Sequence, residues 1–255
     1  MTGRLKGKVA VITGSGGLSI GQGCALAFAR EGAHVVGCNR KQAGAEETSE
    51  LLAREGLTLE TYCTDLTDPS ANVDLMAFAA DRFGGIDILV NGAAFVEFAP
   101  IEEMDYERHW KRTLQGEVDL VFLACKAAWP HFKARGGGSI VNFGSANAHM
   151  AVPLGALAHC ASKGAVVAMT RQLAAEGAAH GIRANTISPG MTLSTETKGP
   201  LEHVPSFAED VLRQALIKRI ATPDDIARVA VFLSSDESSW VTGADFRVDG
   251  GITAC

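Results

Sequence analysis

Short apolar runs rich in β-branched residues alternate with longer helix-patterned stretches along the whole chain. The strand-like runs cover 9–13, 34–38, 58–63, 86–90, 139–143, 183–188 and 245–248. Between them, helical patterning covers 22–31, 44–55, 70–83, 106–132, 159–179 and 223–233. Near-continuous apolar strands separated by helices predict a parallel sheet covered on both faces. No linker, low-complexity tract or internal repeat divides residues 1–255, so the chain reads as a single doubly wound α/β domain of Rossmann type. In such a domain the ligand lies at the carboxyl ends of the strands.

The first strand runs into the turn Gly14-Ser15-Gly16-Gly17-Leu18-Ser19-Ile20-Gly21 and then into an Ala-rich helix. Glycines let the backbone adopt positive φ and approach a ligand closely. A helix N-terminus presents free N–H groups and partial positive charge to a pyrophosphate. With a strand before it and a helix after it, this turn predicts a nucleotide site.

The other strand ends carry polar residues. After the second strand come Asn39 and Arg40. An acid there would hold a ribose 2′-OH, whereas an arginine suits a 2′-phosphate, so the pair favours NADP(H) over NAD(H). Asp65, followed by Leu66, is placed to meet an adenine edge. A turn or capping role is the plainer alternative for Asp65, and Asp68 before Pro69 fits the cap better. Asn91-Gly92-Ala93-Ala94 is a small-residue turn against which a cofactor can lie.

Composition narrows the partners. The net charge is −6, and hydrophobic residues make up 47%. That balance favours neither a nucleic-acid nor an anionic-membrane partner and leaves a small-molecule substrate. No Lys/Arg-led apolar segment opens the chain. The cysteines at 24, 38, 63, 125, 160 and 255 are scattered, without C-x-x-C or zinc-like His spacing. Reduced packing thiols in a cytoplasmic protein, with no metal, are expected.

Several ordered motifs together resemble the short-chain dehydrogenase/reductase family over essentially the whole chain. They are the Thr13-Gly14 turn ending Ile20-Gly21, Asp65, Asn91-Gly92-Ala93, Ser145, Ser162-Lys163, Asn185 to Pro189-Gly190, Thr242-Gly243 and Val248-Asp249-Gly250-Gly251. The resemblance implies a Rossmann-type domain, a tetramer or dimer, that moves hydride between NAD(P) and a carbinol or carbonyl carbon. It also implies cofactor contacts from Gly14, Ser19, Ile20, Asn39, Arg40, Asp65, Leu66, Asn91, Gly92, Ala93, Lys163, Pro189, Gly190 and Thr192. The family's four catalytic positions are Asn, Ser, Tyr and Lys.

Three departures from the family pattern stand out. His159 occupies the tyrosine position of Tyr-x-x-x-Lys, Glu117 occupies the asparagine position, and the Gly turn is one residue longer with Ser19 as its middle glycine. Free imidazole titrates near about 6.5, so it exchanges protons at neutral pH. Lys163, four residues on, lies on the same helix face. Its charge disfavours imidazolium, and an inward Glu117 favours it. Glu117, Ser145, His159 and Lys163 are therefore expected to form a remodelled tetrad. Ser145 would bond the substrate oxygen, His159 would exchange the proton, Lys163 would hold the nicotinamide ribose, and Glu117 would tune His159. Imidazole is shorter than phenol. The alternative is a nucleotide-binding protein without redox activity, or a lyase or dehydratase on the same scaffold. By the same resemblance, 95–98, 150–154 and a lid over about 191–215 surround the substrate, with Phe95, Phe98 and Met150 as an apolar wall. Glu97 and Glu117 are expected to disfavour an anionic group near the reacting carbon. His149 is expected at the pocket lining or the surface. Apolar stripes on 106–132 and 159–179 predict a homo-oligomer.

Overall fold

The computed structural model describes residues 3–153 and 155–254. Seven strands form one parallel sheet: β1 (Val9–Thr13), β2 (His34–Asn39), β3 (Glu60–Cys63), β4 (Ile88–Asn91), β5 (Gly138–Phe143), β6 (Ile182–Pro189) and β7 (Asp245–Val248). Their order is β3-β2-β1-β4-β5-β6-β7. Val11 pairs with Val36 on one side and Leu89 on the other. The chain winds outward from β1 to β3 and then returns to β4 beside β1. That reversal opens a crevice at the carboxyl ends of β1 and β4, where an open α/β sheet takes its ligand.

The helices are α1 (Ile20–Arg30), α2 (Gln42–Ala53), α3 (Pro69–Phe83), α4 (106–135), α5 (Leu157–Gly177), α6 (Thr195–His203), α7 (Pro205–Gln214) and α8 (Pro223–Ser234). Successive strand side chains point to opposite faces. Ala10 and Ile12 therefore join the core beneath α1 and α8, and Val11 joins the core beneath α3, α4 and α5. The α1–α8 contact is close because Gly23 has no Cβ: a Cβ there would lie 2.7 Å from Pro223. Local signals set the helix ends. Asp68 caps α3 ahead of Pro69, and Gly84 closes it at φ +80°.

The sheet follows the expected strands closely, and the expected lid segment 191–215 is largely helical. That segment folds into α6 and α7, with the α6 start fixed by a Ser194/Thr197 capping box. No helix of the described residues is long and apolar enough to cross a membrane. Leu154 of the segment 150–154 expected around the substrate, and Cys255, lie outside the described residues.

Candidate active site

The Gly-rich turn is built by close backbone approach. Gly14 sits at φ +67°, and a Cβ there would lie 2.6 Å from both Ala93 N and Gly92 O. The turn after β4 is thus pressed against the turn after β1, and the Ala93 N–H donates to Thr13 Oγ1 at 3.1 Å. Ser19 caps α1: its Oγ accepts from the Gln22 N–H at 3.0 Å and lies 3.2 Å from both Gly14 O and Gly16 O. The Ile20 and Gly21 N–H groups of the first helical turn remain free of a helical partner. A glycine-rich cradle opening onto a helix N-terminus fits the pyrophosphate of a nicotinamide dinucleotide.

Asn39 ends β2 with its side chain turned inward. Its amide donates to Ser15 Oγ at 3.1 Å, and a Cβ on Gly16 would lie 2.7 Å from its Oδ1. Asn39 therefore shapes the turn, and exposed Arg40 is the first charged group after β2, followed by exposed Lys41. Asp65 accepts the Thr67 N–H at 3.0 Å and the Thr67 hydroxyl at 2.8 Å, both on Oδ1. Those two bonds hold its carboxyl below the usual range, with a further contribution from the Arg40 charge. The Asp65 turn role and the Asp68 cap are both present. Leu66 is buried beside them. Asn91 donates to Asn142 Oδ1 at 2.8 Å, while its own buried Oδ1 has no partner among the described residues. On β6, Pro189 leads into Gly190, which packs on the Asp249 backbone, and Thr192 donates to Gly190 O at 3.1 Å.

Three of the four expected catalytic residues meet directly. The α4 helix is π-wound over Gln115–Asp119, and π segments recur at functional sites. From that segment Glu117 points inward, its side chain 2% exposed. His159 Nδ1 lies 2.8 Å from Glu117 Oε1 and 3.0 Å from Oε2. A carboxylate accepts, so Nδ1 carries the hydrogen and Nε2 is left for a substrate. Lys163 Nζ lies 3.3 Å from Glu117 Oε1 and donates to Phe143 O at 3.2 Å. Buried Glu117 is thus charge-compensated by Lys163 and hydrogen-bonded by His159. Ser145 follows β5 at the same sheet end, and its Oγ accepts the Asn147 N–H at 3.1 Å. It makes no direct hydrogen bond to His159.

Other contacts are not legible from spacing. His149 Nε2 lies 2.6 Å from Asp245 Oδ2, and Ser188 donates to Asp245 Oδ1 at 2.7 Å, tying the Ser145 loop to β6 and β7. The Thr195 N–H donates to Leu18 O at 2.8 Å, so α6 is moored to the Gly-rich turn. Phe95 is wedged against Gly116 and covered by the Arg112 guanidinium, 4.8 Å from its ring. Arg112 also pairs with Glu97 at 3.4 Å.

A family model described as Enoyl-(Acyl carrier protein) reductase matches residues 16–253, nearly the whole chain. The chain belongs to the short-chain dehydrogenase/reductase family. It is 38% identical to 2-(S)-hydroxypropyl-CoM dehydrogenase 3 of Xanthobacter autotrophicus, over 100% of both chains. A short-chain dehydrogenase/reductase structure from Burkholderia xenovorans superposes with a TM-score of 0.95 at 32% identity, covering 99% of each chain. A gluconate 5-dehydrogenase structure from Beutenbergia cavernae, described as carrying bound NADP, gives a TM-score of 0.91 at 33% identity over 100% of both chains. As a member of this family the chain is an NAD(P)-dependent oxidoreductase acting on a small molecule.

Proposed function

We propose that this short-chain dehydrogenase/reductase moves hydride between NADP(H) and a secondary alcohol or ketone, with His159 in the tyrosine position as acid-base and Glu117 in the asparagine position as its support. The observation that carries this reading is the contact of His159 Nδ1 with both Glu117 oxygens, at 2.8 and 3.0 Å. A carboxylate on Nδ1 fixes the tautomer and stabilises the imidazolium, as in acyl-transfer triads.

When bound, the nicotinamide supplies or accepts the hydride at the substrate carbon. In reduction, His159 Nε2–H gives its proton to the substrate oxygen as that oxygen gains charge; in oxidation, neutral Nε2 takes the hydroxyl proton. The Ser145 hydroxyl donates to the same oxygen and steadies its charge. Lys163, with Glu117 and Phe143 O as partners, would hold the nicotinamide ribose with its ammonium. Gly14, Ser19, Ile20, Gly92 and Ala93 would hold the pyrophosphate side, and Asp65 and Leu66 would hold the adenine. Asn91 would support the nicotinamide ribose side, and Pro189, Gly190 and Thr192 would hold the nicotinamide.

Arg40, with no acid at Asn39, supports NADP(H) over NAD(H). The hydroxypropyl group in the name of the Xanthobacter relative is itself a secondary alcohol. The segment 191–215, moored at Thr195, acts as the substrate lid. Exposed Tyr106, Phe122 and Leu157 on α4 and α5 support a homo-oligomer, a tetramer or dimer. The five described cysteines are all free, which supports a reducing cytoplasmic setting. The test is nicotinamide absorbance with both cofactors and a mixed panel of ketones and secondary alcohols. Turnover of at least one pair supports the reading, and tight cofactor binding without any turnover sinks it.

A further inference from the structure

Phe98 is an unusual side chain in this site. It is 52% exposed, although the backbone on both sides of it is pinned. Before it, the Glu97 N–H donates to Thr113 Oγ1 at 3.0 Å, and the Thr113 hydroxyl donates back to Glu97 O at 3.3 Å. After it, the Ala99 N–H donates to Gly155 O at 3.0 Å. Gly155 sits at φ +62°, and a Cβ there would lie 2.6 Å from Ala99 C, so the two loops touch backbone to backbone. These clamps tie the loop to α4 on one side and to the segment leading into α5 on the other. The Phe98 ring is thereby held 5.8 Å from the His159 ring, the planes inclined at 55°.

A large aromatic on a fixed backbone, left half in water beside the proton-exchanging group, contributes little to folding. Its apolar area is available to a ligand. The neighbouring groups do not offer the same surface. Phe95 is used up between Gly116 and Arg112. Glu97 and Arg112 neutralise each other at 3.4 Å. The wall beside His159 is therefore apolar, and the charges at its rim are paired.

We infer that Phe98 is the specificity-determining residue of this site: it takes an uncharged apolar group, an alkyl chain of several carbons or an aryl ring, attached to the reacting carbonyl or carbinol carbon. This rests on the dehydrogenase reading above. A substrate oxygen that meets His159 Nε2 places one substituent of its carbon toward the Phe98 ring. Burial of that substituent against the ring then adds binding with each added methylene.

The experiment is reduction of methyl ketones from acetone to methyl pentyl ketone, of acetophenone, and of keto-sugars, by the full chain with NADPH. Wild type, Phe98→Ala and Phe98→Leu are compared, and NADPH binding is measured in all three as the check on folding. The expected result is that kcat/KM rises along the alkyl series in wild type. In Phe98→Ala the ratio of longest to shortest ketone falls at least about ten-fold, mainly through KM, and in Phe98→Leu most of it returns. An unchanged ratio in an NADPH-binding, active Phe98→Ala overturns this inference and leaves the dehydrogenase reading standing. A wild-type preference for keto-sugars does the same. A wild type that binds NADPH and reduces nothing overturns both.

Discussion

Both carboxylate oxygens of Glu117 lie within hydrogen-bond distance of a single nitrogen of His159, Nδ1, at 2.8 and 3.0 Å. Lys163 sits on the same carboxylate at 3.3 Å. The acid of α4 thus links the two α5 side chains that lie one helical turn apart. Removing its charge while keeping its shape is a direct probe. In Glu117→Gln the amide can present N–H groups to Nδ1, which favours the wrong imidazole tautomer. The expected result is a kcat about 10²–10⁴-fold lower, with cofactor binding retained. Steady-state kinetics beside a cofactor titration check this, and a kcat within a factor of about two would remove Glu117 from the mechanism.

At Gly14, both φ and space exclude a side chain. The residue sits at φ +67°, and its Cβ would be 2.6 Å from main-chain atoms of the opposite turn. Gly14→Ala should cost about 2–4 kcal/mol of stability in urea unfolding, because backbone atoms cannot step aside as a flexible side chain can. Cofactor affinity should fall with it.

Arg40 is the first exposed cation after β2, while Asn39 is committed to Ser15. Arg40→Ala should raise the Kd for NADPH about ten- to hundred-fold, the value of one or two charge-assisted hydrogen bonds. The Kd for NADH should stay within a factor of about two. An equal loss for both cofactors would place Arg40 away from the 2′-phosphate.

Burial pushes the thiols of Cys24, Cys38 and Cys125 up to about 12. An unfolded thiol ionises near about 8.5. A folded value raised above the unfolded one gives stability that is complete below the unfolded value and is lost as pH climbs toward the folded one. Stability should therefore decline between about pH 8.5 and pH 12, by up to about 1.4 kcal/mol per pH unit for each thiol. Urea midpoints across that range check the slope. Below it, these three thiols should resist alkylation in the folded protein, whereas exposed Cys63 reacts.

The sheet was largely legible in the sequence because its strands are buried on both faces. Runs such as 9–13 and 139–143 have little choice but to be apolar and β-branched. The Gly-rich turn was legible because Gly14 answers a backbone requirement. Pairing of Glu117 with His159 was legible only through motif position, since 42 residues separate them. The lid helices were not, because α6 carries Pro200 in its interior and mixed polar residues on its surface, so no apolar stripe announces it. Its Ser194/Thr197 box was a usable start signal. The inward turn of the Asn39 amide onto Ser15 was not legible, because a position after β2 says where the backbone ends and not where the side chain turns. The His149–Asp245–Ser188 cluster joins the loop after β5 to β6 and β7, a tertiary fact that no local pattern carries. The π winding around Glu117 likewise leaves the helical pattern of 106–132 unaltered to the eye.

The central claim is that His159 exchanges the proton that accompanies hydride transfer. The most direct measurement is the nicotinamide absorbance change of wild type and His159→Gln, with one productive substrate and saturating cofactor. Glutamine keeps a polar side chain of similar reach and cannot act as an acid-base near neutral pH. The expected kcat of the variant is about 10²–10⁴-fold lower, with an unchanged cofactor Kd. Equal turnover in the two proteins would contradict it and assign the proton to another group.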